Sequence, residues 1–116
     1  MQTLPEVLQD FQIKFNSNTQ LKKLLLNWNP NIILNSIDSS DQYTLWVREQ
    51  LLANILEKEE LSDHQIFIEA ENETLIKVFS GTLNPSEAVL DGDMVVFGND
   101  KDQIKLDAIT LIIWGM

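Results

Sequence analysis

The sequence contains no cysteine. That excludes disulfides, thiolate catalysis and cysteine-ligated zinc, and it is compatible with a reducing compartment. Arginine and histidine occur once each, as Arg48 and His64. The 18 acidic residues outnumber the 8 basic ones, for a net charge of −10. Nucleic-acid affinity comes largely from Lys and Arg neutralising phosphates, and attraction to an anionic bilayer draws on the same cations. The charge balance therefore argues against nucleic acid as a partner, and its bland meaning is solubility. Long hydrophobic runs are also missing. Runs such as Leu24–Leu26 and Leu111–Trp114 fall far below the about 20 residues that span a bilayer, so no stable membrane insertion is expected. The first six residues carry neither the basic region nor the apolar core of a signal peptide, so a cytoplasmic location is expected.

What is present suits one domain covering residues 1–116, with an apolar fraction of 44% to fill its core. Leu4, Val7, Leu8, Phe11 and Phe15 recur at three- and four-residue steps behind Pro5, one apolar stripe on a helix. A second helix follows, with Leu21, Leu24, Leu25 and Trp28 inward and Lys22 and Lys23 outward. The period then changes. Ile32 to Ile37, Tyr43 to Arg48 and Ile66 to Ile68 read as strands. Leu51 to Leu56 fits a strand or a helix and is taken as a strand because it follows a hairpin. Sequential, closely spaced strands predict an antiparallel meander, with Glu57 to Asp63 as a charged, solvated loop. Beyond Ala70, Asn72 or Thr74 can cap a short helix ending at Gly81. Pro85 opens another, ending at Gly92. Met94–Phe97 reads as a fifth strand, and a last helix runs from about Asp100 to Trp114.

No catalytic signature emerges. His64 is read as an exposed residue at a strand start. One histidine without cysteine makes no zinc constellation, and Glu57, Glu59, Glu60 and Asp63 fit no calcium-loop spacing. Ser80 and Ser86 lie in no nucleophile elbow. Asn72-Glu73-Thr74 is formally a glycosylation sequon, better explained as a helix cap. No metal, cofactor or enzymatic activity is expected.

The most specific segment runs from Gly81 to Asn99. Gly81 and Gly92 supply positive φ at two helix ends. Asn84 caps the helix opened by Pro85, and small Ala88 lets that turn approach the sheet. Gly98 turns the chain from strand to helix. In order and spacing, Gly81, Asn84, Pro85, Ala88 and Gly92, followed by Met94, Val96, Gly98 and Asn99, resemble the C-terminal half of the sterol carrier protein 2 family. Two positions depart from it. Val89 stands where the family often has an aromatic residue. The chain ends in Trp114-Gly115-Met116 in place of the Ser-Lys-Leu-like tripeptide of peroxisomal members, which argues against a peroxisomal address.

The resemblance implies an α/β (α+β) fold, with a five-stranded mixed, largely antiparallel sheet, helices on one face and an apolar cavity between the two layers. Family members bind fatty acids, acyl-CoAs, phospholipids, sterols or isoprenoid quinone precursors, and the same module occurs in alkyl sulfatases. The expected role is therefore a small lipid carrier whose partner is an apolar ligand such as a fatty acid, a phospholipid, a sterol-like molecule or an isoprenoid. Two alternatives stay open: an interaction module of this fold with a filled cavity, and an accessory subunit presenting an apolar substrate to a separate enzyme.

The last helix is apolar on more faces than packing on a sheet requires. Its surplus can line a pocket, form a dimer interface or be deeper core, since core and pocket wall share one composition. The candidate lining residues there are Ile104, Ala108, Ile109, Ile112, Ile113 and Trp114. Phe79, Leu83 and Val89 join them by family position. On the sheet, Trp46 faces away from Tyr43, Leu45 and Val47, and Phe67, Val95 or Phe97 can join it. Such an apolar sheet face predicts a homodimer or a docked partner.

Overall fold

The computed structural model describes residues 2–115. Five strands form one mixed sheet in the order β3-β2-β1-β4-β5: β1 Asn31–Ser36, β2 Gln42–Arg48, β3 Leu51–Leu56, β4 Gln65–Ala70 and β5 Met94–Phe97. Helices α1 Leu4–Ser17, α2 Leu21–Leu24, α3 Asn72–Phe79, α4 Pro85–Leu90 and α5 Asp100–Trp114 complete the chain.

β1 sits at the centre. It pairs antiparallel with β2, Ile32 opposite Leu45, and parallel with β4, Ile32 beside Ile66 and Leu34 beside Ile68. The expected meander of four sequential strands is therefore corrected: β4 does not continue from β3 but returns to the far side of β1. β1 is thereby the central strand, and its Ile32-Ile33-Leu34 run is buried on both faces, as in parallel sheets covered front and back.

The charged side chains of the return path, Glu57, Glu59 and Asp63, are exposed as expected, while its backbone is bonded across the back of the sheet. The Thr44 hydroxyl donates to the Lys58 carbonyl at 2.7 Å and accepts from the Glu60 N–H at 2.9 Å, and the Asn31 amide donates to the Glu60 carbonyl at 2.8 Å. This segment pins part of the face that was expected to be open. Arg48 lies 5.2 Å from the centre of the Trp46 ring. The back face remains open around Phe67 and its neighbours on β5, with Phe97 52% and Val95 46% exposed.

The front face carries the core. Ile32, Leu34, Leu45, Val47, Ile66 and Ile68 are buried against the helices. α1 lays down its whole stripe of Leu4, Val7, Leu8, Phe11 and Phe15. α2 is shorter than expected, because the chain leaves helical geometry after Leu24 and Asn27 adopts φ 60. Leu21, Leu25 and Trp28 are nevertheless buried, while Leu24 is only half-buried. α3 is capped from outside: its first N–H, on Asn72, donates to the Asp38 carboxylate at 2.8 Å, where the sequence pointed to Asn72 or Thr74 themselves. That bond holds the Asp38 carboxyl below the usual carboxylate range.

Candidate functional site

The segment 81–99 builds one wall of a cavity. Asn84 caps α4, its side-chain oxygen accepting from the Ser86 N–H at 2.8 Å, and Pro85 occupies the first turn. Ala88 is fully buried, so α4 lies close to β5. Gly81 and Gly92 take φ 82 and 79 at the two helix ends. At Gly81 the absence of a side chain has a second cause: a Cβ there would stand 2.5 Å from the Trp114 ring. Asn99 caps α5 through the Asp102 N–H at 2.8 Å. Gly98 needs no such explanation, since a Cβ there would meet Ile66 at an ordinary 3.4 Å.

Between the sheet front and α4–α5 lies a cavity of about 290 Å³. The floor is aliphatic, with Ile32, Leu45, Val47 and Ile68 from β1, β2 and β4. Phe11, Phe15 and Phe79 close its inner end, and Met94 and Val96 of β5 form a side. α5 roofs it with Leu106, Ile109 and Thr110. The lining residues exposed to solvent are Val89 and Leu90 of α4, 40% and 85% exposed, and Asp107 of α5, so the mouth lies between these two helices. All four polar lining residues, Ser86, Gln103, Asp107 and Thr110, belong to α4 or α5.

Of the residues singled out in the sequence, Phe79, Val89 and Ile109 stand in this wall, and the other six do not. Leu83, Ile112 and Ile113 are half-buried and pack on the core. Ile104 is 67% exposed. Helical periodicity explains the split: with 3.6 residues per turn, turning Leu106 and Ile109 inward sends Ile104, Ala108 and Leu111 outward. Trp114 is a plug, stacked on Phe11 with ring centres 5.6 Å apart. The sheet residues of the floor carried no signal separating them from core, because a strand's inward positions look alike whether they meet side chains or empty space.

His64 also departs from its expected role. Its Nε2 lies 2.9 Å from Asp102, whose other oxygen accepts from the Trp28 indole N–H at 2.8 Å. Asp102 is almost fully buried. These bonds satisfy its carboxylate and fasten the start of α5 to the turn that follows α2 and to the residue that precedes β4. On β2, outside the cavity lining, burial pushes the Tyr43 phenol up, aided by Asp41 and Glu57. Among the described residues, no group of three or more His, Asp or Glu side chains is placed to hold a metal ion, and no helix is long and apolar enough to cross a membrane.

No family model and no curated protein matches the chain. Solved structures do. A protein described as UbiJ-SCP2, a ubiquinone synthesis protein, superposes with a TM-score of 0.74 at 13% identity, covering 95% of this chain and 94% of its own. The chain has the sterol carrier protein 2 fold. Palmitated SCP2L2 from Aedes aegypti matches over 94% of this chain and 95% of its own, with a TM-score of 0.62 and 11% identity. The sec-alkyl sulfatase PisA1 matches over 90% of this chain but only 16% of its own length, with a TM-score of 0.66 and 12% identity. In that last case the chain corresponds to one part of a much larger protein.

Proposed function

We propose that the chain is a non-enzymatic carrier that holds one small apolar molecule between its sheet and α5. The observation that carries this reading is the cavity of about 290 Å³ walled almost wholly by hydrocarbon. A filled interior, as an interaction module would have, is disfavoured by that empty space. A void of about 150 Å³ accepts a benzene ring, so this one suits about a dozen carbon atoms, and longer ligands extend through the mouth. Binding is driven by removing ligand hydrocarbon from water, at about 0.8 kcal/mol per methylene. The walls alone discriminate weakly, since one methylene changes affinity by only about 1–3 kcal/mol. The neighbours lend support, because one of them was solved in a palmitated form.

A second reading has an observation of its own. Val89 and Leu90 expose hydrocarbon beside the mouth, a place where a separate enzyme can receive the ligand, and one neighbour is a ubiquinone synthesis protein. Both readings put one molecule in the cavity and differ in where it goes next.

Native mass spectrometry of freshly purified protein, followed by organic extraction, tests the shared claim. The expected result is a discrete added mass at one-to-one stoichiometry, present on purification or after incubation with lipids. A protein that remains at its bare mass and takes up nothing contradicts it.

A further inference from the structure

Resting on the carrier reading, we infer that the cavity selects hydrocarbons with an uncharged, hydrogen-bond-donating head, such as an alcohol or phenol, over those with an anionic head such as a carboxylate or phosphate. The interior offers a polar head nothing, since β1, β2, β4 and β5 contribute only apolar side chains to it. A head group must therefore lie at the mouth, among Ser86, Gln103, Asp107 and Thr110.

The charge there is of one sign. Asp107 carries the only ionised side chain in the lining, and it is negative. The Thr110 hydroxyl already donates, to the Asp107 carbonyl at 2.9 Å, which leaves its oxygen as an acceptor. The Gln103 amide nitrogen donates to the Gly98 carbonyl at 3.1 Å, so the group's remaining capacity is weighted toward its oxygen. The Ser86 hydroxyl and the second Gln103 N–H can donate to either kind of head, so the preference for an O–H donor on the ligand comes from the Asp107 carboxylate, which only accepts.

No cation offsets this. The chain from Thr82 to Asp100 contains Glu87, Asp91, Asp93 and Asp100 but no Lys, Arg or His. That stretch supplies α4, β5 and the start of α5, and so frames the mouth. The two lysines of α5 face elsewhere: Lys105 donates to the Leu24 carbonyl at 2.9 Å and lies over the Trp28 ring, and Lys101, one turn earlier, shares that flank. A fatty carboxylate at the mouth would lose water, gain no counter-charge and face Asp107 directly.

The test is displacement of the neutral fluorophore N-phenyl-1-naphthylamine from the intact protein at pH 8 by dodecan-1-ol and by dodecanoate. Dodecanol, with the less hydrated head, is favoured by any apolar pocket, so the deciding readout is how the gap changes in D107N and D107K. Asp107 is exposed, and both variants should fold. The expected result is a gap of about tenfold or more at low salt that narrows in D107N and closes by about a further tenfold in D107K, through tighter dodecanoate binding, the change fading with added salt. Dodecanoate binding as tightly as dodecanol to the unaltered protein, or a gap the same in all three proteins, overturns the inference while leaving the carrier reading in place. Failure to take up the fluorophore or either ligand overturns the carrier reading and this inference with it.

Discussion

At the α1 end of the helical layer, Leu4, Val7, Leu8, Phe11 and Phe15 are all buried, and Phe11 meets Phe15, Phe79 and Trp114 ring against ring. At the α4–α5 end, Ile109 is the only fully buried large apolar side chain of the two helices, while Val89, Leu90, Ile104 and Leu111 are exposed. Both ends face the same sheet, and their apolar content differs little. The difference lies in what the inward residues touch. Leu4, Val7 and Leu8 of α1 pack into closed core, and only Phe11 and Phe15 reach the inner end of the cavity. α5 is held at its two ends, by Asp102 and by Trp114, and spans an empty space between them. A roof fastened at its ends can stay in place over an empty space.

The comparison is broken most forcefully by truncating one residue on each side. Leu8→Ala should cost about 3–4 kcal/mol, since the side chain is fully buried in packed core. Leu106→Ala, on the roof and half-buried, should cost about 1 kcal/mol, because one side of it already lacks contacts. Urea unfolding measures both, and equal losses would mean that α5 is ordinary core.

The fastenings come next. Gly81→Ala should cost about 2–3 kcal/mol, from a side chain placed at positive φ and against the Trp114 ring. Asp102→Ala should cost about 1–3 kcal/mol by leaving the Trp28 indole N–H unpaired, and should loosen amide-exchange protection at the start of α5 before that of α1.

Smaller effects sharpen the account away from the cavity. The β2–β3 hairpin turns on Glu49 and Gln50, both at positive φ, a turn that favours Asn and Gly. Glu49→Asn should therefore stabilise the protein by about 0.5 kcal/mol. Asp38 and Glu6 are held below the usual carboxylate range, by the Asn72 N–H and by the Thr3 hydroxyl respectively. A depressed carboxylate stabilises the fold above its unfolded-state value, about pH 4, and that contribution disappears as pH falls through the folded value. Acid titration of Asp38→Asn should show a shallower loss of stability below about pH 4 than the unaltered chain.

Much of the fold was legible because local and global signals agree. The stripe of α1, the caps at Asn84 and Asn99, the glycines at 81 and 92 and the run of β1 each announce their element. The parallel β1–β4 pairing was not read from the strands' spacing, because Thr44 and Asn31 hold the crossover through side-chain bonds that sequence spacing does not reveal. The hairpin at Glu49–Gln50 lacks turn residues and is supported by contacts from outside, Gln50 donating to the Lys22 carbonyl and the Glu49 N–H to the Asn29 side chain. Of the residues singled out, Phe79, Val89 and Ile109 line the cavity, at places where motif and helix phase coincide. Along the rest of α5 the candidates fall outside the lining, because a helix apolar on most faces leaves its phase undetermined. The same ambiguity hid Asp102, whose carboxylate faces inward where the sequence gives no reason for charge.

The most direct test of the central claim is isothermal titration of dodecan-1-ol into the unaltered protein, Ile109→Trp and Ile112→Trp. Ile109 faces the cavity and Ile112 does not, and each substitution should alter stability by about 1–3 kcal/mol. The account predicts one-to-one binding with a negative heat-capacity change in the unaltered chain and in Ile112→Trp, and at least about tenfold weaker binding in Ile109→Trp, whose indole fills the space. Equal binding by all three proteins would contradict it, because the ligand would then be held somewhere other than beneath α5.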